Sequence, residues 1–235
     1  MRAHTILTLA LVSLSVTVSG LKQAVETINL RDFFRRVRDH GTGRNNEYWD
    51  AMAYSYETLL RVNKIPCSHG ISTDQLQDCS DRFGNGAKSE SLTRAMDYVT
   101  KVGMYDQKEY ESIRKRGQCI QNPAYFKPIW KLSLVSDTSA LVTALRNNRS
   151  AVLKLMVDKD FENFKGRRFT TSYDPSNPEM LTAYVTLTGF ARRSNGTITW
   201  LIHGNRGNSW GRNGLILADS KITQPYLEAF VLEPP

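Results

Sequence analysis

A change of apolar period part-way along the chain leaves few folds open to it. From Tyr48 onward, Trp49, Met52, Ala53, Tyr56, Leu59 and Leu60 recur at helical spacing, and Asn45 or Asn46 can cap the start. This is expected to be a helix with one buried face. A second, short helix fits STDQLQDC with Ser72 or Thr73 as its cap. A third fits SESLTRAMDYVTKVG, where Leu92, Ala95, Met96, Val99 and Val102 form the stripe and Gly103 the stop. After the proline-containing NPAYFKPIWKL the character changes. One more helix, DTSALVTALRNN, precedes strand-like runs at AVLKLMV, LTAYVTLTGF, TITWLIHG, GLILA and AFVLE, with Asn195-Gly196 as a hairpin signal. The pattern predicts an α+β chain, with a helical lobe at about 40–130 and a β-rich lobe at about 131–235.

The first residues, MRAHTILTLALVSLSVTVSG, carry one early Arg2, an apolar run from Ile6 to Val18 and small residues at its end. The run is too short to span a bilayer, so residues 1–20 are read as a secretory signal peptide, cut near Ser19 or Gly20. The remaining chain, 21–235, is then expected to be secreted and extracellular, with no membrane segment. Net charge is +8 and the sequence pI about 9.4, with basic clusters in RDFFRRVR and KGRRF. That balance suits an acidic glycan or acidic protein outside the cell, or a merely solvated surface. Export and the lack of a recognition motif argue against nucleic acid. Sequons at Asn148 and Asn195 are open to N-glycosylation. The cysteines and histidines show no metal-ligand spacing beyond Cys67 and His69, so neither metal nor cofactor is expected.

Order and motifs together resemble the papain family of cysteine proteases, and within it the mite group 1 allergen type. INLR from Ile28 looks like that group's IDLR, STDQLQDC is similar to SEQELLDC, and FGNGAK falls where the family has GCNGG. LTAYVTLTGF resembles DHAVAAVGY, and WLIHGNRGNSWGRNGL resembles YILIKNSWGTGWGENGY. The resemblance implies a papain-like two-lobe fold, with a β-barrel-like right lobe, over nearly the whole mature chain.

It also implies four catalytic positions, and each departs from the family pattern. The nucleophilic cysteine precedes a tryptophan at the start of the long helix; here Tyr48 precedes Trp49. A phenol of ordinary pKa near ~10 is a poor nucleophile at neutral pH. Counting back from Gly189-Phe190 places the histidine at Ala183. The register of the WGENG-like Trp210 to Gly214 places the orienting asparagine at Gly204, leaving Asn208 as a decoy. The oxyanion glutamine falls on Thr42. Tyr48 and Arg206 are candidates to fill the old cleft.

Of the family's disulfides, one maps to Asn45 and Asn85 and is lost, while another maps to Cys79 and Cys119 and is implied to remain. Cys67 has no family counterpart and is expected to be a free thiol. LKQAVET leaves no evident room for an inhibitory prosegment. These readings point to a pseudoprotease that binds without cleaving, possessing the fold alone. The alternative is a residual thiol hydrolase using Cys67 with a base from His40, His69 or His203. A third reading is an abundant secreted protein without a specific ligand.

Overall fold

The computed structural model describes residues 24–34, 37–38, 47–80, 91–115, 118–120, 131–170, 176–177, 179–219 and 228–233. The signal-peptide reading, Thr42, His40, Asn45, Asn46 and Asn85 lie outside them. The first elements of the described residues are strand β1 (Ala24–Asn29) and a 3-10 turn at Arg31–Phe33. Four helices follow: α1 (Glu47–Val62), α2 (Thr73–Ser80), α3 (Ser91–Lys101) and α4 (Gln107–Ile113). The rest is β2 (Lys131–Val135), α5 (Thr138–Arg146), β3 (Ala151–Val157), β4 (Arg168–Phe169), β5 (Leu181–Arg193), β6 (Ile198–His203), β7 (Leu215–Asp219) and β8 (Glu228–Glu233).

The strands form one eight-stranded sheet in the order β2-β8-β3-β5-β6-β7-β4, with β1 also paired to β5. The long β5 serves both β3 and β1 along one side, matching Leu155 to Ala183 and Ile28 to Phe190. At the β5–β6 hairpin, Arg193 N–H donates to Thr197 O at 2.9 Å and Asn195 Oδ1 accepts from Thr197 N–H at 3.0 Å. Gly196 takes φ +81° there, a left-handed conformation that a side chain would strain. Ser72 Oγ caps α2 by accepting from Gln75 N–H at 3.2 Å.

Two cores result. One lies in the β lobe, around Leu153, Val185, Phe190, Trp200 and Ile216, with Leu141 and Leu145 of α5 packed into it. The other gathers α1, α2 and α3 around Met52, Tyr56, Leu60, Leu76, Met96 and Val99. Val152 and Leu232, from β3 and β8, belong to this second core, so α1 is sandwiched between helices and sheet. The expectation of a single buried face on α1 is therefore corrected. Every residue from Tyr48 to Leu60 is buried, Asp50, Ser55, Glu57 and Thr58 included.

Two of those buried polar groups have identified partners: Thr58 Oγ1 donates to Tyr54 O at 2.9 Å, and Glu57 is held by charge and backbone. Glu57 accepts from Ile71 N–H at 2.8 Å and pairs with Arg38, which arrives from the segment preceding α1. Arg38 also donates to Ile71 O at 2.7 Å and, through its backbone N–H, to the Tyr54 hydroxyl. Its carbonyl accepts from Gly207 N–H at 2.9 Å. A buried charge is tolerated when it is paired and hydrogen-bonded like this, and the pair ties both lobes to the N-terminal segment.

Cys79 and Cys119 are joined by a disulfide, the pair that the resemblance implies. Cys67 is a free, buried thiol between α1 and α2. None of the described helices is long and apolar enough to cross a membrane.

Candidate functional site

The N-terminus of α1 points its first turn at β5 and the loop after β6. Tyr48 is buried there, 6% exposed, with its ring edge-on to Trp49 at 5.0 Å and to Tyr184 of β5 at 5.8 Å between centroids. Beside it, the Glu47 carboxylate accepts from Tyr184 N–H at 3.2 Å and pairs with Arg206. Glu47 O accepts from Asn205 Nδ2 at 2.9 Å. The Arg206 guanidinium also lies 5.2 Å from the Phe161 ring centre. Burial raises the Glu47 pKa above the usual carboxylate value, against the opposing pull of Arg206.

Of the sequence-derived positions, Tyr48 lies in this cluster, and Ala183 and Gly204 are the chain neighbours of its Tyr184 and Asn205. Ala183 is 1% exposed, on the β5 face that joins the β-lobe core, while its neighbour Tyr184 packs toward the helical core. Gly204 lies against Trp210: a Cβ built on it would come within 2.5 Å of the indole ring. That indole is fixed, because its Nε1–H donates to Phe161 O at 2.6 Å and its ring meets Phe161 edge-on at 5.1 Å. Asn208 is exposed, whereas Asn205 is buried. Thr42 lies outside the described residues. Tyr48 and Arg206 do meet the same cluster, but Glu47, Tyr184 and Asn205 were not singled out from the sequence. An acidic residue directly before an aromatic pair at a helix start, with an arginine in the glycine-rich loop, is the signal that could have raised Glu47.

The Cys67 alternative finds little geometry to work with. Burial first, then the charges of Glu57 and Asp106, push its thiol up to about 11. His69 turns its Nδ1 to Asp106 Oδ1 and Ser68 Oγ, each at 2.9 Å, and no hydrogen bond links Cys67 to a histidine among the described residues. His203 lies elsewhere, buried between Phe34, stacked at 5.1 Å, and Tyr54, edge-on at 4.5 Å. Burial, then the charges of Arg31 and Arg38, press its pKa down to about 4.

The sequence model described as papain family cysteine protease matches residues 51–227, well over half of the chain. The chain belongs to the papain family of cysteine proteases. The match begins at Ala51, inside α1 and just beyond Tyr48. Among papain-family relatives, mexicain of Jacaratia mexicana is 24% identical over 166 residues, covering 68% of this chain and 72% of mexicain. Papaya proteinase 4 of Carica papaya is 26% identical over 166 residues, which is 68% of this chain and 46% of that protein. Among solved structures, digestive procathepsin L 3 of the Tenebrio molitor larval midgut superposes with a TM-score of 0.71 at 17% identity, covering 92% of this chain and 72% of that one. A structure addressing antibody cross-reactivity between the mite allergens Blo t 1 and Der p 1 gives 0.68 at 16% identity, covering 88% and 70%. At such identities these structures establish the papain-like α+β fold and nothing finer.

The asparagines of both sequons are exposed, while Ser150 of the first is buried. Asn195 is at the β5–β6 hairpin tip, and Asn148 follows α5 with φ +57°.

Proposed function

We propose that this papain-family chain is a secreted protein without peptidase activity, using the fold to bind an extracellular partner, an acidic glycan or a protein, as a decoy directed at host defence proteins. The observation that carries this is the first turn of α1. Where the family's nucleophile is expected, Tyr48 is packed edge-on between Trp49 and Tyr184, and the Glu47–Arg206 pair occupies the adjoining ground. Acyl transfer needs a nucleophile, a base within hydrogen-bond reach and an oxyanion site together. A phenol, an alanine and a glycine facing an indole supply none of these in concert.

The replacements also read as a repacked site. A chain that had lost only a cysteine would keep a cavity beside its helix. Here the first turn is filled by aromatic contacts and by the Glu47–Arg206 ion pair, which supports adaptation to a non-catalytic role. The residual-hydrolase reading would need the Cys67 thiol exposed and acidic, and its burial and raised pKa weigh against it.

The test is turnover of a broad panel of fluorogenic peptides by the purified protein, run beside a Cys67→Ala variant. No turnover by either protein is the expected result. Turnover abolished by Cys67→Ala would establish the thiol-hydrolase alternative, and turnover unaffected by it would require a catalytic centre elsewhere.

A further inference from the structure

Much of the positive charge of the β lobe is neutralised within the chain. Arg146 and Arg192 share Glu26, Arg149 takes Glu233, Lys154 takes Glu228, Lys159 takes Glu179 and Arg206 takes Glu47. Lys165, Arg168 and Arg212 are exposed and have no ion pair among the described residues.

The backbone brings these three together. Gly211 N–H donates to Phe164 O at 2.6 Å, and Leu217 N–H donates to Arg167 O at 2.7 Å. Strand β4 runs parallel to β7, with Arg168 opposite Leu217. The Lys165–Arg168 segment therefore lies alongside the Arg212–Leu217 segment, at the sheet edge where β4 is the last strand. Arg168 Nη2 reaches over to Thr199 Oγ1 of β6 at 3.5 Å. Arg167 is half-buried, and burial followed by the charge of Arg212 holds its guanidinium below the usual arginine value. The nearest carboxylates in sequence, the half-buried Glu162 and Asp219, lie just outside these two stretches. Gathering like charges in one place works against folding, and a bound anion offsets it.

The neighbourhood favours a polyanion over a protein. Exposed residues among the cations are Asn163, Thr170 and Asn213, while Phe164 and Phe169 are turned inward. A protein interface usually centres on a buried aromatic or aliphatic anchor, and among the described residues none of the exposed large apolar ones, Val25, Ile113 and Leu134, is here. Guanidinium groups, by contrast, hold sulfate oxygens with paired hydrogen bonds and need no apolar centre.

We propose that the β4–β7 edge binds a sulfated glycan chain through Lys165, Arg168 and Arg212. This deepens the binding role proposed above by naming the ligand class and its surface.

The experiment titrates the full-length protein with a heparin oligosaccharide, near physiological salt and over a salt series. The triple variant Lys165→Ser/Arg168→Ser/Arg212→Ser is compared with Lys108→Ser/Lys115→Ser/Lys131→Ser, which removes equal charge from exposed positions elsewhere. The first is expected to weaken binding at least ~10-fold and to flatten its salt dependence, and the second to change it no more than ~2-fold, as follows when specific cations displace counterions. Thermal melts confirm folding, and Arg212→Glu, a single exposed turn substitution, gives a second arm that should weaken binding in the same direction. Equal weakening by both triples, no binding by the natural protein, or full binding by Arg212→Glu would each overturn the proposal. The peptide panel is run on the same samples: turnover there would end the non-catalytic reading while leaving the glycan result to stand or fall by itself.

Discussion

The Arg206 guanidinium closes on the Glu47 carboxylate at the foot of α1 while lying 5.2 Å from the Phe161 ring centre. The arginine side chain is 7% exposed and the glutamate 22%, so each charge depends largely on the other. Arg206→Leu leaves a desolvated carboxylate and is expected to cost about 3 kcal/mol of stability. Adding Glu47→Gln should recover most of that, because the stranded charge is then gone. Urea denaturation of the single and double variants checks both statements.

His203 makes the fold sensitive to acid. Its folded pKa of about 4 lies below the ordinary 6.5, so the unfolded chain takes up the proton first as pH falls. Stability from this residue is complete above pH 6.5 and is lost progressively down to about 4, by up to about 3 kcal/mol. Arg31 and Arg38 face the ring and oppose a second positive charge. Melting temperatures between pH 7 and pH 4 should fall more steeply in the natural protein than in a His203→Phe variant.

Cys67 should behave as a structural thiol. With its pKa pushed up to about 11 by burial, iodoacetamide at neutral pH is expected to label it slowly in the native state and readily in denaturant. Mass spectrometry of the intact protein over a labelling time course reads this out. Rapid native labelling would contradict the burial on which the argument against a Cys67 nucleophile rests.

The Cys79–Cys119 disulfide spans 40 residues of sequence. In the chain-entropy account, its removal as Cys79→Ala/Cys119→Ala costs about 4 kcal/mol. Chemical denaturation of that variant measures the loss.

Much of the architecture was legible because burial follows period. β3, β5, β6, β7 and β8 lie where apolar runs predicted strands, and α1, α2, α3 and α5 where helical spacing did. What was missed had its polarity reversed or too little length. In β1 the half-buried positions include Glu26, tied to Arg146, while Val25 is 66% exposed, so alternation alone gives the wrong sense. β2 likewise exposes Leu134. α4 has seven residues and buries only Tyr110, too little for a stripe; its start is fixed by Asp106 accepting from Lys108 N–H. The buried Asp50, Glu57 and Thr58 read as a solvent face, because nothing local announces that Arg38 and the sheet will cover them. At the site, Tyr48 and Arg206 could be named from the sequence, but the packing of Tyr184 and the Glu47–Arg206 pair are tertiary facts.

Restoring the family residues should not restore a peptidase. Gly204→Asn drives a Cβ to within 2.5 Å of the Trp210 ring, which Phe161 O holds in place, and Ala183→His puts a large polar ring at a core position 1% exposed. Each substitution is expected to cost about 2 kcal/mol or more. The variant Tyr48→Cys/Ala183→His/Gly204→Asn/Thr42→Gln should therefore melt earlier than the natural protein and stay inert on the peptide panel. Efficient turnover by it would show that the surrounding packing still accommodates the family's catalytic arrangement.

The most direct measurement is the intact mass of the natural protein after incubation with an epoxysuccinyl affinity label for cysteine peptidases, with an active papain-family enzyme as positive control. The account predicts no mass increase for this chain under conditions that label the control to completion. A stoichiometric adduct, blocked by prior addition of a peptide substrate, would contradict it and place a working nucleophile in this protein.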